Sequence, residues 1–210
     1  MPGQPAPRGT PAHLVVVADA CRDRTALAAR RGGASVISLS ARSVGAARAA
    51  GAREILRRTR RLDPADIWLA TTDADTLVPP SWLRQQVHYA NQGWDAVIGT
   101  IRVTDWNGLH PRAISRFREH YDSGPGPHSH VHGANLSVRA SAYLAAGGFP
   151  AVPTAEDHAL VGALAAGGGR VLRTGALPVI TSARRDPRAP NGFGDYLTGL
   201  DDATTGTATA

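Results

Sequence analysis

The run Ile67-Trp68-Leu69-Ala70-Thr71-Thr72-Asp73-Ala74-Asp75-Thr76 decides how this chain is read. Its first half has the length and apolar character of a buried strand, and it ends abruptly in two carboxylates one residue apart. Strand alternation sends Asp73 and Asp75 to the same side at the edge of a sheet. Two like charges that close repel each other unless they are solvated or bridged by a cation. A hard divalent ion, Mg²⁺ or Mn²⁺, holding a diphosphate on its free positions satisfies both. The other reading is an Asx-rich turn in which Asp and Thr satisfy backbone donors.

Working outward, strands and helices alternate on either side of this run. His13–Ala18 reads as a buried strand, followed by a polar turn and an Ala-rich helix to about Arg31. Ala34–Ser40 is a short β-branched strand, and Arg42–Arg61 a helix stopped by Asp63-Pro64. Pro79-Pro80-Ser81-Trp82 opens a helix to about Asn91, and Ala96–Val103 is a further strand. A helix is predicted around Ala113–Tyr121, a strand over Asn135–Arg139, helices over Ala140–Ala146 and Glu156–Ala166, and a strand over Arg170–Thr174. Such alternation predicts an α/β fold with a mixed, mainly parallel sheet flanked by helices. In sheets of that kind ligands bind off the carboxyl ends of the strands, where Asp19, Asp73 and Asp75 all fall.

The chain of 210 residues is read as one domain over 13–200, with disordered tails over 1–12 and 201–210. A hydrophobic content of 42% is ordinary for a folded protein and argues against global disorder. No run approaches the ~20 apolar residues that span a bilayer, and the Pro/Gly-rich start lacks the apolar segment of a secretory signal. One cysteine excludes an internal disulfide framework and fits a reducing cytoplasm. The net charge is +6, and all 23 basic residues are arginines spread along the chain. No basic run is interleaved with aromatics, so nucleic acid is not the expected partner.

Four further segments carry chemistry. Asp19, after the first strand, is read as an acceptor for the N–H donors of a nucleobase, and Asp23 as the cap of the following helix. Arg48 sits at a strand-to-helix junction among small residues, where it either meets an anionic ligand or is simply solvated. Val131-His132-Gly133-Ala134-Asn135 either shapes an acceptor pocket, with His132 and Asn135 as its polar groups, or is a plain loop. Glu156-Asp157-His158 opens an apolar helix; Glu156 is counted with the acceptor pocket, and Asp157 reads as a general base for an acceptor hydroxyl, or as a carboxylate well placed at a helix N-terminus. Trp106 is the best sugar-stacking candidate among tryptophans that otherwise read as core or cleft wall. Alternating His128, His130 and His132 invite a zinc reading, but no Cys or nearby carboxylate completes a tetrahedral set. Ser182-Ala183-Arg184-Arg185-Asp186 either places an arginine over a diphosphate or is a solvated turn.

Taken in order, Val15–Thr25, Val44–Gly51, Thr72-Asp73-Ala74-Asp75, Gly133–Arg139 with Gly147-Gly148-Phe149, and Glu156-Asp157 resemble the family 2 glycosyltransferases of the GT-A fold, across about residues 13–183. The resemblance implies a nucleotide-diphospho-sugar donor, an acceptor it does not name, and a divalent metal, Mg or Mn, bound through Asp-x-Asp. Carried over residue by residue, it implies that Asp19 recognises the base and that Arg48 lies near base or diphosphate. It places Asp73 by ribose and metal, makes Asp75 a metal ligand, and makes Asp157, of the Glu156-Asp157 pair, the catalytic base of an inverting displacement. The family's opening apolar strand and helix have no counterpart ahead of Val15. A central strand missing from such a sheet predicts exposed edges, and with them poor solubility, a compensating partner or homo-oligomerisation. The expected protein is a cytoplasmic glycosyltransferase, with a peripheral role on lipid-linked acceptors left open. Its rivals are a truncated, non-catalytic nucleotide-binding relative and a basic nucleic-acid-binding protein.

Overall fold

The computed structural model describes residues 11–106, 108–121, 126–152, 154–184 and 192–205. Strand β1 (Val15–Asp19), helix α1 (Thr25–Arg31) and strand β2 (Ser35–Leu39) make a two-stranded parallel unit. Helix α2 (Val44–Arg58) leads to β3 (Trp68–Thr71), β4 (Thr76–Leu77), α3 (Trp82–Asn91) and β5 (Ala96–Val103). The rest comprises α4 (Pro111–Tyr121), β6 (Leu136–Arg139), α5 (Ala140–Ala145), α6 (Glu156–Ala166), β7 (Val171–Thr181) and α7 (Phe193–Thr205). Five strands form the main sheet in the order β3-β6-β5-β7-β4. Strands β5 and β7 pair in parallel, whereas β6 and β4 run antiparallel to their neighbours. The sheet is mixed as expected, but not mainly parallel in its pairing: β6 and β4 are reversed, so among the described residues only β5–β7 is a parallel pair in it.

The apolar run of β5 is covered on both faces, which is why it lacks strand alternation. Ala96 and Ile98 pack with Leu136, Val138, Leu160 and Leu164 on the side of α2, α5 and α6. Val97, Ile101 and Val103 pack with Trp82, Phe117, Leu177 and Leu197 on the side of α3, α4 and α7. The parallel β5–β7 ladder breaks between Gly99 and Ile101, whose partners are Thr174 and Val179. Residues between those partners form a bulge that accommodates Pro178, which cannot donate to a ladder. The expected strand over Arg170–Thr174 thus stops at the bulge, while β7 resumes beyond it and runs to Thr181.

Two other departures lie in short or glycine-bearing segments. Strand β4 is only Thr76–Leu77, held against Thr181 and Ile180 of β7. Helix α7 contains Gly194 and Gly199, yet Leu197 buries it against the α4 side. It also reaches into the tail expected over 201–210: the Asp201 carboxylate accepts the His110 N–H at 2.7 Å, at the entrance to α4. Residues 206–210, and 1–10 of the other expected tail, lie outside the described residues.

The β1–β2 unit is the thinly packed part. Helix α1 has no buried residue, and Ala18 alone of β1 and β2 is buried. Helix α2 ties the unit to the main body. Gly51 lies so close to β1 that a Cβ there would be 3.3 Å from Val17 Cγ2, while Ala52 joins the core with Leu69 and Ile98. Strands β1 and β3 do not pair, and each has one edge without a strand partner among the described residues. Among the described residues no strand precedes β1; residues 1–10, on which the expectation about an opening strand bears, lie outside them.

Candidate active site

Helix α2 begins the site. Ser43 caps it, its hydroxyl accepting from Ala46 N at 3.2 Å and donating to the Val152 carbonyl at 3.0 Å. A Cβ on Gly45 would stand 2.3 Å from the Pro150 carbonyl oxygen, so only glycine lets this first turn approach the loop before α6. One turn on, Arg48 reaches across the gap. Its Nη2 donates to Asp73 Oδ1 at 2.7 Å, and its Nη1 pairs with Glu156. The Arg48 and Glu156 side chains are 12% and 4% exposed, whereas that of Asp73 is 44% exposed. Burial alone would lower the Arg48 pKa, but Asp73 and Glu156 together outweigh it and hold the guanidinium above its ordinary value. One buried cation therefore joins α2, the β3 terminus and the start of α6.

Asp157 is fastened to the same assembly. Its Oδ2 accepts the Gly133 N–H at 2.7 Å, and its Oδ1 accepts its neighbour His158 N–H at 2.8 Å. The Gly133 carbonyl is in turn held by the Thr71 hydroxyl at 2.7 Å, at the end of β3. Helix α6 is entered through Ala155 at φ +60°, a left-handed conformation costly for a residue with a Cβ. That turn aims Glu156 inward at Arg48 and Asp157 at the Gly133 loop.

His132 precedes that loop and lies close enough to Asp157 to feel its charge. Burial pushes its pKa from the ordinary 6.5 down to about 4, with His130 adding to the shift and Asp157 opposing it. Its Nε2 is buried with no hydrogen-bond partner among the described residues. The rings of His128, His130 and His132 stack successively at 5.8 and 6.1 Å, with Tyr121 on His130 at 4.2 Å. The alternation invites a metal reading from sequence; the structure makes it an aromatic ladder, and no cluster of three metal-ligating side chains occurs among the described residues.

The remaining expected site residues are placed differently. Asp19, at the end of β1, accepts the N–H groups of Ala41 (2.7 Å), Arg42 (3.0 Å) and Ser43 (2.8 Å), so it organises the loop that launches α2. Of its roughly four lone-pair sites one is left for a base. Asp23 is not the cap of α1, a place taken by Arg24; it stands one residue earlier and accepts Thr25 N at 3.0 Å, closing the turn into the helix. Trp106 packs edge-on against Phe117 at 5.2 Å with the Arg118 guanidinium over its ring at 5.7 Å, in the α4 layer rather than at Arg48.

Asn135 does not face a pocket. It is fully buried, accepting from Trp82 Nε1 at 3.0 Å and donating to the carbonyls of Thr100 (2.9 Å) and Leu177 (2.6 Å). Those two carbonyls flank the break in the β5–β7 ladder, so the Asn135 amide replaces the missing backbone donors. The loop reading of its neighbours missed this because the bulge is visible only once β7 is assembled.

Asp75 pairs with Arg184, just beyond β7; Arg185 and Asp186 lie outside the described residues. The Asp73–Asp75 turn thus presents two carboxylates, each already facing a guanidinium. Hard oxygen donors of that kind, one or two per site with the rest supplied by phosphate and water, are what Mg²⁺ and Mn²⁺ take. The donor set fits such an ion. The run holding Arg184 was legible as a possible diphosphate arginine, but its pairing with Asp75 was not, nor was the Gly133 N–H that holds Asp157, since both are contacts between segments far apart in sequence.

No curated protein matches the chain. Among solved structures, a mannosyltransferase from Pyrobaculum calidifontis in complex with GDP-Man and Mn²⁺ superimposes with a TM-score of 0.56 at 20% identity, over 90% of this chain and 60% of that one. The chain thus spans less than two thirds of that neighbour's length. Glucosyl-3-phosphoglycerate synthase from Mycobacterium tuberculosis, in complex with phosphoglyceric acid, aligns at 15% identity and a TM-score of 0.42, over 93% of this chain and 67% of that one. The fold is GT-A-like, and the model of glycosyl transferase family 2 matches residues 8–144. The chain belongs to glycosyl transferase family 2.

Proposed function

We propose that this chain transfers a sugar from a nucleotide-diphospho-sugar donor to an acceptor hydroxyl, with Asp157 as general base and with inversion at the anomeric carbon. The observation that carries the reading is the Arg48 assembly, which brings Asp73, Glu156 and, through Gly133, Asp157 to one end of β3. Family membership and the GT-A-like fold support the reaction class. The divalent cation, Mg²⁺ or Mn²⁺, held by Asp75 with Asp73 beside it, would supply positive charge against the leaving diphosphate.

Each side chain then has a defined task. Asp19 orders the 41–43 loop and offers its remaining lone pair to the base. Asp73 is kept in place by Arg48 and faces ribose and metal. Asp157, steadied by the Gly133 N–H, takes the proton of the acceptor hydroxyl as that oxygen bonds to the anomeric carbon. The bond from that carbon to the diphosphate breaks, and the nucleoside diphosphate leaves. His132, neutral above about pH 4, lines the acceptor side next to Asp157 and adds no positive charge that would disable the base. Glu156 acts through Arg48. No helix among the described residues is long and apolar enough to cross a membrane.

The test is calorimetric titration of UDP and GDP into the purified protein, with and without Mn²⁺. The expected result is binding that requires the metal and is lost in Asp75→Ala. Absence of binding by either nucleotide, in a sample shown to be folded, would overturn the donor reading. It would favour a non-catalytic relative.

A further inference from the structure

The two carboxylates of the Asp-Ala-Asp turn carry counter-ions of different standing. Asp73 is paired with Arg48, which is buried and committed to Glu156 as well. Displacing Arg48 would strand the buried Glu156 carboxylate, which is costly. Asp75 is paired with Arg184, whose side chain is 47% exposed. An exposed pair of that kind contributes little and exchanges readily. The first counter-ion is structural; the second is free to leave.

The backbone explains why Arg184 is there. Thr76 is opposite Thr181 and Leu77 opposite Ile180, and the two threonine hydroxyls lie 2.9 Å apart. This short ladder sets the chain leaving β7 alongside Asp75. Ala183 is buried in the core between β7 and Arg184, so the main chain is anchored up to the residue before the arginine. Only the Arg184 side chain has to swing.

We propose that Arg184 is the resident counter-ion of Asp75, that a divalent cation must displace it to bind there, and that the released guanidinium then pairs with the donor diphosphate. This rests on the donor reading given above. The charge logic is a hand-over. The arriving cation takes the carboxylate, and the anion that arrives with it takes the arginine, so neither charge is left unpaired. A bidentate guanidinium suits a phosphate oxygen pair as well as a carboxylate. Metal and diphosphate binding are coupled in consequence, each favouring the arrangement the other needs.

The test is titration of MnCl₂ alone, then of GDP and UDP at saturating Mn²⁺, into wild type, Arg184→Gln and Arg184→Lys of the full chain. Thermal midpoints in metal-free buffer serve as the folding control. Arg184→Gln is expected to bind Mn²⁺ about two- to fivefold more tightly, the range an exposed ion pair can contribute. It should bind nucleotide at saturating Mn²⁺ about fivefold more weakly, with Arg184→Lys close to wild type on the first measurement. Mn²⁺ binding seen in Arg184→Gln but too weak to detect in wild type supports the proposal equally. Unchanged or weaker Mn²⁺ binding in Arg184→Gln overturns it, as does absence of Mn²⁺ binding in all three proteins. Nucleotide binding that needs Arg184 but no metal also overturns it, making the arginine a permanent substitute for the ion. Tighter Mn²⁺ binding with unchanged nucleotide affinity overturns the hand-over. Mn²⁺ competition as expected with no nucleotide bound by any variant would instead leave Arg184 as the counter-ion and remove the donor reading.

Discussion

The guanidinium of Arg48 occupies the space a side chain at Gly133 would need: a Cβ there would stand 2.1 Å from the Arg48 central carbon. That approach lets one residue do two things. Its bare α-carbon makes room for the cation that holds Asp73 and Glu156, and its N–H holds Asp157. Asp157 and Asp73, the proposed base and donor-side carboxylate, are thereby placed by a single contact between two chain segments far apart in sequence.

Gly133→Ala should therefore damage the site more than a methyl group elsewhere would. The collision can be relieved only by moving Arg48 off its carboxylates or by shifting the loop that holds Asp157. Overpacking of this kind costs about 1–3 kcal/mol. A lowered urea midpoint, together with lost nucleotide binding, is the expected outcome. A variant as stable and as competent as wild type would show that the Arg48 pairs are not what holds the site.

Asn135 separates the pocket reading from the structural one. Asn135→Ala leaves the Trp82 N–H and the Thr100 and Leu177 carbonyls without their partner inside the core. A buried group left unsatisfied costs about 1–3 kcal/mol. The expected result is a loss of several times the usual surface effect in equilibrium unfolding, with acceptor preference of the surviving enzyme unaltered. Undiminished stability with altered acceptor choice would return Asn135 to the pocket.

Those two residues also mark how far the sequence could be read. The Ile67–Thr71 strand and its carboxylates, the Ala96–Val103 strand and the helix opened by Glu156 follow from periodicity, length and breakers, and the structure has them within a few residues. The bonding of Arg48 was out of reach because its two partners lie 25 and 108 positions away, and no local spacing encodes them. The second half of β7 was hidden by Gly175 and Pro178, which read locally as a stop and are tolerated only because a bulge and the Asn135 amide absorb them. Asp19 shows the converse: its position after a strand was legible, but its three backbone donors were not.

His132 gives the molecule a predictable response to acid. Above pH 6.5 neither folded nor unfolded chain carries its proton. Between 6.5 and about 4 the unfolded chain binds the proton and the folded chain does not, so stability falls as pH falls; below about 4 both bind it and the slope disappears. Over that window the loss amounts to about 3 kcal/mol. Urea unfolding of wild type and His132→Gln at pH 7 and pH 4.5 checks it: the two curves should converge as pH drops. A difference that stays constant with pH would show that the ring is already free to take a proton in the folded state.

Asp157→Asn tests the chemistry apart from the architecture. Asparagine keeps the size of the side chain and an oxygen for the Gly133 N–H, so the loop and Arg48 assembly should hold and nucleotide binding should match wild type. What is lost is the ability to take a proton. A positioned general base is worth about 10²–10⁴-fold in rate. Transfer should fall by that factor with little change in nucleotide affinity, and the residual rate should rise with pH as the acceptor hydroxyl ionises unaided. Turnover near the wild-type rate would remove Asp157 from the base role and leave its bond to Gly133 as a structural contact. Loss of nucleotide binding and turnover together would mean that the carboxylate charge, rather than its basicity, holds the site in shape.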